Sequence, residues 1–158
     1  MTQQVLVTGG TQGIGRAIAE AFAEAGYQVL ATGIEADLPT DQSAETTLRF
    51  AHLDVQQPEQ IRSLVTQLDR LDVLVNCAGT ILRDGQEFTL DGFEQVLDVN
   101  LTGTMRMCTA CFPLLEQQQG CILNIASMLS YFGSGHSPAY SSSKGAIVQL
   151  TRSLAIAW

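Results

Sequence analysis

The stretch Val5-Leu-Val-Thr-Gly-Gly-Thr-Gln-Gly-Ile-Gly15 passes from a short apolar run directly into a segment rich in glycine. An amphipathic pattern follows from Arg16 to Ala25 and stops at Gly26, which predicts a strand, a glycine loop and a helix in succession. In such a unit, glycines let backbone amides approach a diphosphate, and the helix N-terminus favours negative charge. The unit therefore predicts dinucleotide binding. Because its glycines are spaced G-x-x-x-G-x-G rather than G-x-G-x-x-G, a plain tight turn is the alternative.

The rest of the chain alternates between apolar runs of strand length and amphipathic runs of helix length. We predict further strands at residues 28–32, 49–53, 71–75 and 121–126, helices at 58–68, 90–115 and 139–158, and a surface connection across 38–48. This alternation predicts one α/β domain spanning residues 1–158, a doubly wound, Rossmann-like parallel sheet with helices on both faces. The apolar run at 121–126 predicts a buried strand.

The segment after the second predicted strand is acidic. Gly33-Ile-Glu-Ala-Asp37 contains two carboxylates, and no Lys or Arg occurs between Arg16 and Arg49. An acidic side chain at this position hydrogen-bonds the adenosine ribose and repels a 2′-phosphate. We therefore predict NAD rather than NADP as the cofactor, with Glu35 as the recognising side chain. Solvated loop carboxylates without a ligand are the alternative.

A second candidate site contains Tyr140 and Lys144, which form a Y-x-x-x-K pair. In a helix that starts near Pro138, the i,i+4 spacing places both side chains on one face. A neighbouring ammonium stabilises a phenolate, so the pair predicts a side chain able to exchange protons near neutral pH. Ser127 follows the strand predicted at 121–126, where parallel sheets bind ligands. A Tyr packed over a Lys stem on an exposed helix is the alternative for the pair alone.

Composition narrows the classes of function. The 158-residue chain is 46% hydrophobic and 15% charged, which is typical of a folded α/β domain. Its net charge of −8, without a basic patch, argues against a nucleic-acid or anionic-membrane surface. The spacing of its four cysteines predicts buried free thiols and no metal site. Neither a signal-peptide pattern nor a membrane-length apolar run is present, so we expect a cytoplasmic protein.

Taken in order with Asp54-Val55, Asn76-Cys-Ala-Gly79 and Val99-Asn100, these segments make the chain resemble the short-chain dehydrogenase/reductase family of classical type. The resemblance implies that Tyr140 is the general acid/base and that Ser127 hydrogen-bonds the substrate oxygen. It further implies that Lys144 binds the nicotinamide ribose and that Asn100 holds a water linking Lys144 to solvent. The residues alone leave two interpretations of Asn100 in the apolar interior of its helix, a structural kink or part of a proton relay. The cofactor would supply the hydride chemistry.

The loop pattern and the resemblance together predict the cofactor contacts. These are Gly9, Thr11, Gln12, Gly13, Ile14, Gly15, Gly33, Glu35, Asp54, Val55, Asn76, Ala78, Gly79, Tyr140 and Lys144. Two positions depart from the family pattern. Cys77 stands where the family most often has Asn, and Gly33 stands where NAD-using members often have Asp, which leaves NADP open as the second choice.

The family likeness also bears on substrate, assembly and completeness. It implies an NAD(P)-dependent oxidoreductase acting on a secondary alcohol or ketone, and the segments 126–130 and 154–158 are similar to members that act on polyols or sugar acids. Family members continue through further strands and a helical lid, so we expect these C-terminal parts to be missing. An uncovered sheet edge predicts pairing with another chain. The resemblance implies a homo-oligomer, a dimer or tetramer, that assembles through the helices 90–115 and 139–158, and burial of these apolar helices against their own sheet is the alternative. The alternative is a catalytically silent nucleotide-binding or interaction fragment. A serine hydrolase is excluded because no G-x-S-x-G elbow follows a strand.

Overall fold

The structure, a computed structural model, describes residues 2–38 and 47–158. The strands are β1 Gln4–Thr8, β2 Gln28–Gly33, β3 Leu48–His52, β4 Val73–Asn76 and β5 Cys121–Asn124. The α-helices are α1 Gly13–Glu24, α2 Pro58–Val65, α3 Leu90–Leu97, α4 Thr104–Gln118 and α5 Pro138–Ala157. Short 3₁₀ helices occur at Gln86–Phe88 and Met128–Ser130, and a π-helical segment occurs at Asp98–Gly103. Most of the connection predicted at 38–48 lies outside the described residues.

The five strands form one sheet in the order β3-β2-β1-β4-β5. β1 pairs in parallel with β2 and with β4, and β2 pairs in parallel with β3. The chain therefore builds outward from β1 in one direction, returns, and builds outward in the other, which is the doubly wound topology. The register aligns Thr8 with Thr32 and with Asn76, so the loops after β1, β2 and β4 leave the same end of the sheet. The predicted fold class is confirmed.

The central strands are apolar on both faces because both faces are covered. Leu6 and Val7 in β1, Ala31 in β2, and Leu74 and Val75 in β4 are all fully buried. Such continuous apolar runs are typical of parallel strands between layers of helices. Among the described residues, no helix has both the length and the apolar character needed to cross a membrane.

By their internal contacts the residues fall into two compact units. Unit 1 consists of Met1–Ala78 and Arg106–Leu123, and unit 2 consists of Gly79–Met105 and Asn124–Trp158. Unit 1 holds the central strands and the glycine loop. In unit 2, α5 packs against α3, against the π-helical segment and against both 3₁₀ helices.

Two predictions about elements are wrong. The long helix predicted at 90–115 is instead divided into α3, the π-helical segment and α4, and Asn100 within the π-helical segment bonds to the backbone of Thr80. The strand at 121–126 ends at Asn124 and is not buried: it is an edge strand in which Cys121 and Leu123 are exposed. The prediction that all cysteines are buried therefore fails for Cys121, and Cys77 is only half-buried.

Candidate active site

The glycine loop of unit 1 is tightly packed at two of its glycines. Gly9 has a φ of +62°, and a Cβ atom there would lie 2.8 Å from the backbone nitrogen of Ala78. A Cβ atom at Gly15 would overlap the carbonyl oxygen of Gly9, so the first turn of α1 lies directly on the loop. Any larger residue at either position must displace backbone. The sequence thus requires glycine at these positions for packing as well as for any ligand.

The N-terminus of α1 remains open to a ligand. Among the residues that the structure describes, no side chain caps this helix end, and its first turn contains no acidic residue. A Cβ atom at Gly13 would meet nothing within 4 Å, and Ile14 is exposed. Backbone N–H groups of a first helical turn lack partners within the helix and attract anions. This end of α1 therefore fits the diphosphate of a dinucleotide.

Thr8 organises the neighbouring loop and was missed by sequence reasoning. Its buried hydroxyl accepts hydrogen bonds from the backbone nitrogens of Cys77 and Ala78, each at 3.2 Å, and donates to the carbonyl of Val75 at 3.5 Å. These bonds join the end of β1 to the loop after β4. A polar residue at the end of an apolar strand was the available signal.

Glu35 is held by the glycine loop. The Thr11 hydroxyl donates a 2.6 Å hydrogen bond to Glu35 Oε2. A Cβ atom at Gly33 would overlap both Thr11 Oγ1 and Glu35 Oε2. The missing side chain at Gly33 therefore makes the room in which Thr11 and Glu35 meet. Asp37, the second predicted carboxylate, is exposed.

The remaining predicted cofactor residues of unit 1 have local partners. Asp54 Oδ1 accepts a hydrogen bond from the backbone nitrogen of Gln56, and Val55 is buried. Asn76 is buried and its amide donates to Cys108 Sγ at 3.3 Å. Burial raises the pKa of the Cys108 thiol to about 11. At this pKa Cys108 stays a thiol, and the contact with Asn76 is a structural one.

In unit 2, α5 carries Tyr140 and Lys144 one turn apart. Pro138 lies at the start of this helix, where a missing N–H costs nothing. Lys144 is buried, and its Nζ donates a 2.6 Å hydrogen bond to the carbonyl of Ile125. The same Nζ lies 5.7 Å from the centroid of the half-buried Tyr140 ring. A buried ammonium beside a phenol is the arrangement that the Y-x-x-x-K spacing predicts.

Asn100 lies in the π-helical segment and is buried. Its Oδ1 accepts a hydrogen bond from the backbone nitrogen of Thr80 at 2.7 Å, and its Nδ2 donates to the Thr80 carbonyl at 2.9 Å. A Cβ atom at Gly79 would lie 3.3 Å from Asn100 Oδ1 and 3.7 Å from Lys144 Nζ. Three predicted site residues are thus neighbours, and a Cβ atom at Gly79 would press on Asn100 while making an ordinary contact with Lys144.

Two serines that were not predicted connect these residues. Asn100 Nδ2 donates to Ser143 Oγ at 3.0 Å, and Ser143 Oγ donates to the Tyr140 carbonyl at 2.8 Å. The backbone nitrogen of Ser127 donates to Ser130 Oγ at 3.2 Å, and Ser130 Oγ donates to the Lys144 carbonyl at 2.7 Å. Their positions three residues after Ser127 and after Tyr140 were the only local signals.

Ser127 is the N-terminal cap of the 3₁₀ helix Met128–Ser130. Its Oγ accepts a hydrogen bond from the backbone nitrogen of Leu129 at 3.1 Å, and the residue is half-buried. Because this bond uses the oxygen as an acceptor, the hydroxyl proton remains available for donation to another oxygen. The four predicted catalytic residues, Asn100, Ser127, Tyr140 and Lys144, are all found in unit 2.

Known proteins are similar in sequence to nearly the whole of this chain. A family model for the short chain dehydrogenase matches residues 3–158. The L-fucose dehydrogenase of Oryctolagus cuniculus is 36% identical over 161 residues, which cover 96% of this chain and 56% of that protein. The 2-dehydro-3-deoxy-D-gluconate 5-dehydrogenase of Bacillus subtilis (strain 168) is 38% identical over 162 residues, which cover 97% of this chain and 64% of that protein.

A solved structure, ElxO with NADP bound, is similar with a TM-score of 0.88 and 32% sequence identity. The match covers 99% of this chain and 68% of the ElxO chain. The chain thus spans between about half and two thirds of the length of the two curated relatives.

Proposed function

Since this chain belongs to the short-chain dehydrogenase family, we propose that it is an NAD(P)-dependent oxidoreductase acting on a secondary alcohol or the corresponding ketone. The observation that carries the proposal is the buried Lys144 ammonium, which lies 5.7 Å from the Tyr140 ring and is fixed to the Ile125 carbonyl. Burying an ammonium group costs free energy unless the group is hydrogen-bonded or paired. Beside a phenol it stabilises the deprotonated oxygen.

The proposed roles follow from what each side chain can do. When an alcohol is oxidised, its hydroxyl proton would pass to the Tyr140 oxygen, and a nicotinamide cofactor held at the glycine loop would supply the hydride acceptor. Lys144 places a positive charge beside the Tyr140 ring during this transfer. Ser127 donates its hydroxyl proton in a hydrogen bond to the substrate oxygen, which orients that oxygen for transfer. Reduction of the ketone uses the same residues in reverse.

Asn100 has a positioning part in this proposal. Its amide holds the Thr80 backbone through two hydrogen bonds and holds α5 through Ser143. These bonds fix the segment after Gly79 and the helix carrying Tyr140 to one buried side chain. Such fixed geometry is what a positioned proton transfer requires. The water-holding role of Asn100 stays a prediction.

The dinucleotide would be held by unit 1 through its diphosphate at the open N-terminus of α1, from Gly13 to Gly15. We propose NAD as the preferred form. Glu35 is the acidic side chain beside the loop, and its charge disfavours a 2′-phosphate. Arg16 is the one basic residue between Gly9 and Asp37. Its guanidinium pairs with Glu20 at 2.6 Å and lies 4.7 Å from the centroid of the Phe50 ring.

For the substrate we propose a polyol, a sugar or a sugar acid. This choice is supported by the names of the two curated relatives, which act on L-fucose and on 2-dehydro-3-deoxy-D-gluconate.

We further propose that the chain self-associates. Leu90 of α3 and Ile156 of α5 are exposed apolar side chains that suit such an assembly. Sedimentation of the purified chain measures this directly.

The testing experiment titrates the purified chain with NADH and with NADPH, followed by nicotinamide fluorescence, and then measures turnover with a panel of polyols, aldoses and sugar acids. We expect NADH to bind more tightly and at least one secondary alcohol to be oxidised. Tyr140→Phe should bind NADH equally well and lose turnover, whereas Tyr131→Phe, at an exposed tyrosine, should keep both. Turnover by Tyr140→Phe at the wild-type rate would overturn the mechanism.

The second candidate function is nucleotide binding without catalysis. Unit 1 alone carries the glycine loop, Thr8 and the Thr11–Glu35 pair, so the contacts proposed for the diphosphate and the adenosine ribose do not depend on proton transfer at Tyr140. Saturable NADH binding without oxidation of any compound in the panel would favour this second function. Failure of a folded chain to bind either nucleotide would reject both.

A further inference from the structure

Glu87 is a buried acidic residue outside the set considered so far. It lies in the 3₁₀ helix Gln86–Phe88 and is only 1% exposed. Its two carboxylate oxygens have separate backbone partners. Oε1 accepts a hydrogen bond from the backbone nitrogen of Leu82 at 3.0 Å, and Oε2 accepts one from the backbone nitrogen of Tyr140 at 2.9 Å.

The second of these hydrogen bonds closes an open position in α5. Tyr140 is the third residue of that helix, and backbone N–H groups in a first turn have no acceptor within the helix. Glu87 provides that acceptor from 53 residues earlier in the chain. A carboxylate at a helix N-terminus also interacts favourably with the helix dipole. The backbone N–H of Tyr140, the proposed acid/base, therefore offsets part of the cost of burying the Glu87 carboxylate.

The hydrogen bond from the Leu82 backbone nitrogen connects Glu87 to the segment of chain that contacts Asn100. Leu82 follows Gly79 and Thr80, the residues in contact with Asn100. One carboxylate thus joins the segment after Gly79 to the first turn of α5. The Tyr140 carbonyl is held separately by Ser143, so both polar groups of the Tyr140 backbone are bonded to side chains.

We propose that Glu87 is a positioning residue for the proton transfer, an inference that rests on the proposed oxidoreductase function. It fixes the backbone of Tyr140 relative to the segment Gly79–Leu82, and with it the placement of the phenol beside the Lys144 ammonium. It touches neither substrate nor cofactor in this role. The effect of its removal should fall more on the rate of the chemical step than on nucleotide binding, because the glycine loop and Glu35, the proposed contacts to the diphosphate and the adenosine ribose, lie in unit 1.

The test compares Glu87→Gln, Glu87→Asp and Glu87→Ala with the wild type, and uses Glu94→Gln at an exposed site of α3 as the matched control. We expect kcat to fall roughly 10- to 100-fold in Glu87→Gln and further in Glu87→Ala. KM and the NADH Kd should change less than about twofold. Glu87→Asp, which keeps the charge on a shorter stem, should recover part of the kcat lost in Glu87→Ala.

A second readout does not depend on turnover. Amide hydrogen exchange by NMR should show the Tyr140 and Leu82 amides protected in the wild type and exchanging at least about tenfold faster in Glu87→Ala, with the β1 and β4 amides unchanged. Unchanged exchange at Tyr140, or an equal loss of kcat and nucleotide affinity in Glu87→Gln, would overturn the proposal. If the wild type binds NADH but turns over no substrate, the oxidoreductase function fails. In that case faster exchange at Tyr140 still establishes the anchoring contact, although its catalytic role is rejected.

Discussion

The side-chain amide of Asn100 donates a hydrogen bond of 3.0 Å to Ser143 Oγ, and both residues are buried. The Ser143 hydroxyl in turn donates a hydrogen bond of 2.8 Å to the carbonyl of Tyr140. Asn100 therefore bonds to α5 as well as to Thr80. Within the wider turn of the π-helical segment, the Asn100 side chain has three polar partners, which are the Thr80 N–H, the Thr80 carbonyl and the Ser143 hydroxyl.

Replacement of Ser143 by Ala should destabilise the protein by ~1–3 kcal/mol, because Asn100 Nδ2 then loses the buried one of its two acceptors. Urea unfolding followed by circular dichroism measures the difference in the free energy of unfolding. Ser142→Ala is the matched control, since this neighbouring serine is exposed, and it should change stability by less than ~0.5 kcal/mol. Equal stabilities for the two variants would contradict the assigned role of Ser143.

Glu35 should determine the choice of cofactor. Glu35→Gln removes the charge but keeps an acceptor for the Thr11 hydroxyl, so we expect NADPH affinity to rise roughly tenfold relative to NADH, or ~1.4 kcal/mol in relative binding free energy. Fluorescence titration with both nucleotides gives the ratio. Glu24→Gln, at an exposed acid near the far end of α1, should leave the ratio at its wild-type value. A wild-type protein that already prefers NADPH would reject the cofactor argument.

Sequence reasoning found the parts of the site that depend on local spacing. The residues of the glycine loop lie within one loop, and Tyr140 and Lys144 lie within about one helical turn. Each pattern is therefore visible in a single stretch of chain. The contacts of Ser143 with Asn100 and of Glu87 with Tyr140 join residues 43 and 53 positions apart, and no periodicity reports such pairs. The π-helical segment was missed for a related reason, since an apolar helical pattern continues through it. Leu123 was expected to be buried because apolar runs predict burial without telling a central strand from an edge strand.

Asp72 should give the protein an acid-sensitive contribution to stability. Its side chain accepts hydrogen bonds from Arg70 at 2.6 and 2.7 Å and from the Gln4 backbone nitrogen at 2.8 Å. The Arg70 guanidinium, the largest influence, holds the pKa of this carboxyl below its ordinary value. A lowered folded-state pKa stabilises the protein above the unfolded-state pKa of about 4, and this stabilisation is lost as the pH falls through the folded-state value.

Asp72→Asn should therefore cost ~2 kcal/mol at pH 7 and progressively less as the pH falls below about 4. Urea unfolding of both proteins, measured at about six pH values between pH 2.5 and pH 7, shows whether the two stability curves converge in acid. Asp69→Asn, at an exposed neighbouring acid, should run parallel to the wild type. A constant difference between wild type and Asp72→Asn at every pH would show that the ionised form contributes nothing.

The four cysteines should separate by reactivity. Cys121 is exposed on the edge strand and Cys77 is half-buried, whereas Cys108 and Cys111 are buried in α4. Burial raises the pKa of Cys108 to about 11 and that of Cys111 to about 12. At pH 8 only about one Cys108 thiol in a thousand is ionised, and the thiolate is the reactive form.

We therefore expect a disulfide reagent such as DTNB to label Cys121 first and Cys77 more slowly, and to label Cys108 and Cys111 only after unfolding in denaturant. Cys121→Ser should remove the fast phase and leave the rest of the time course intact. Raising the pH from 7 to 9 should leave the α4 thiols unlabelled, because access limits them as well as ionisation. Rapid labelling of Cys108 in the native protein would mean that α4 opens readily, which its burial against β4 through the Asn76 contact argues against.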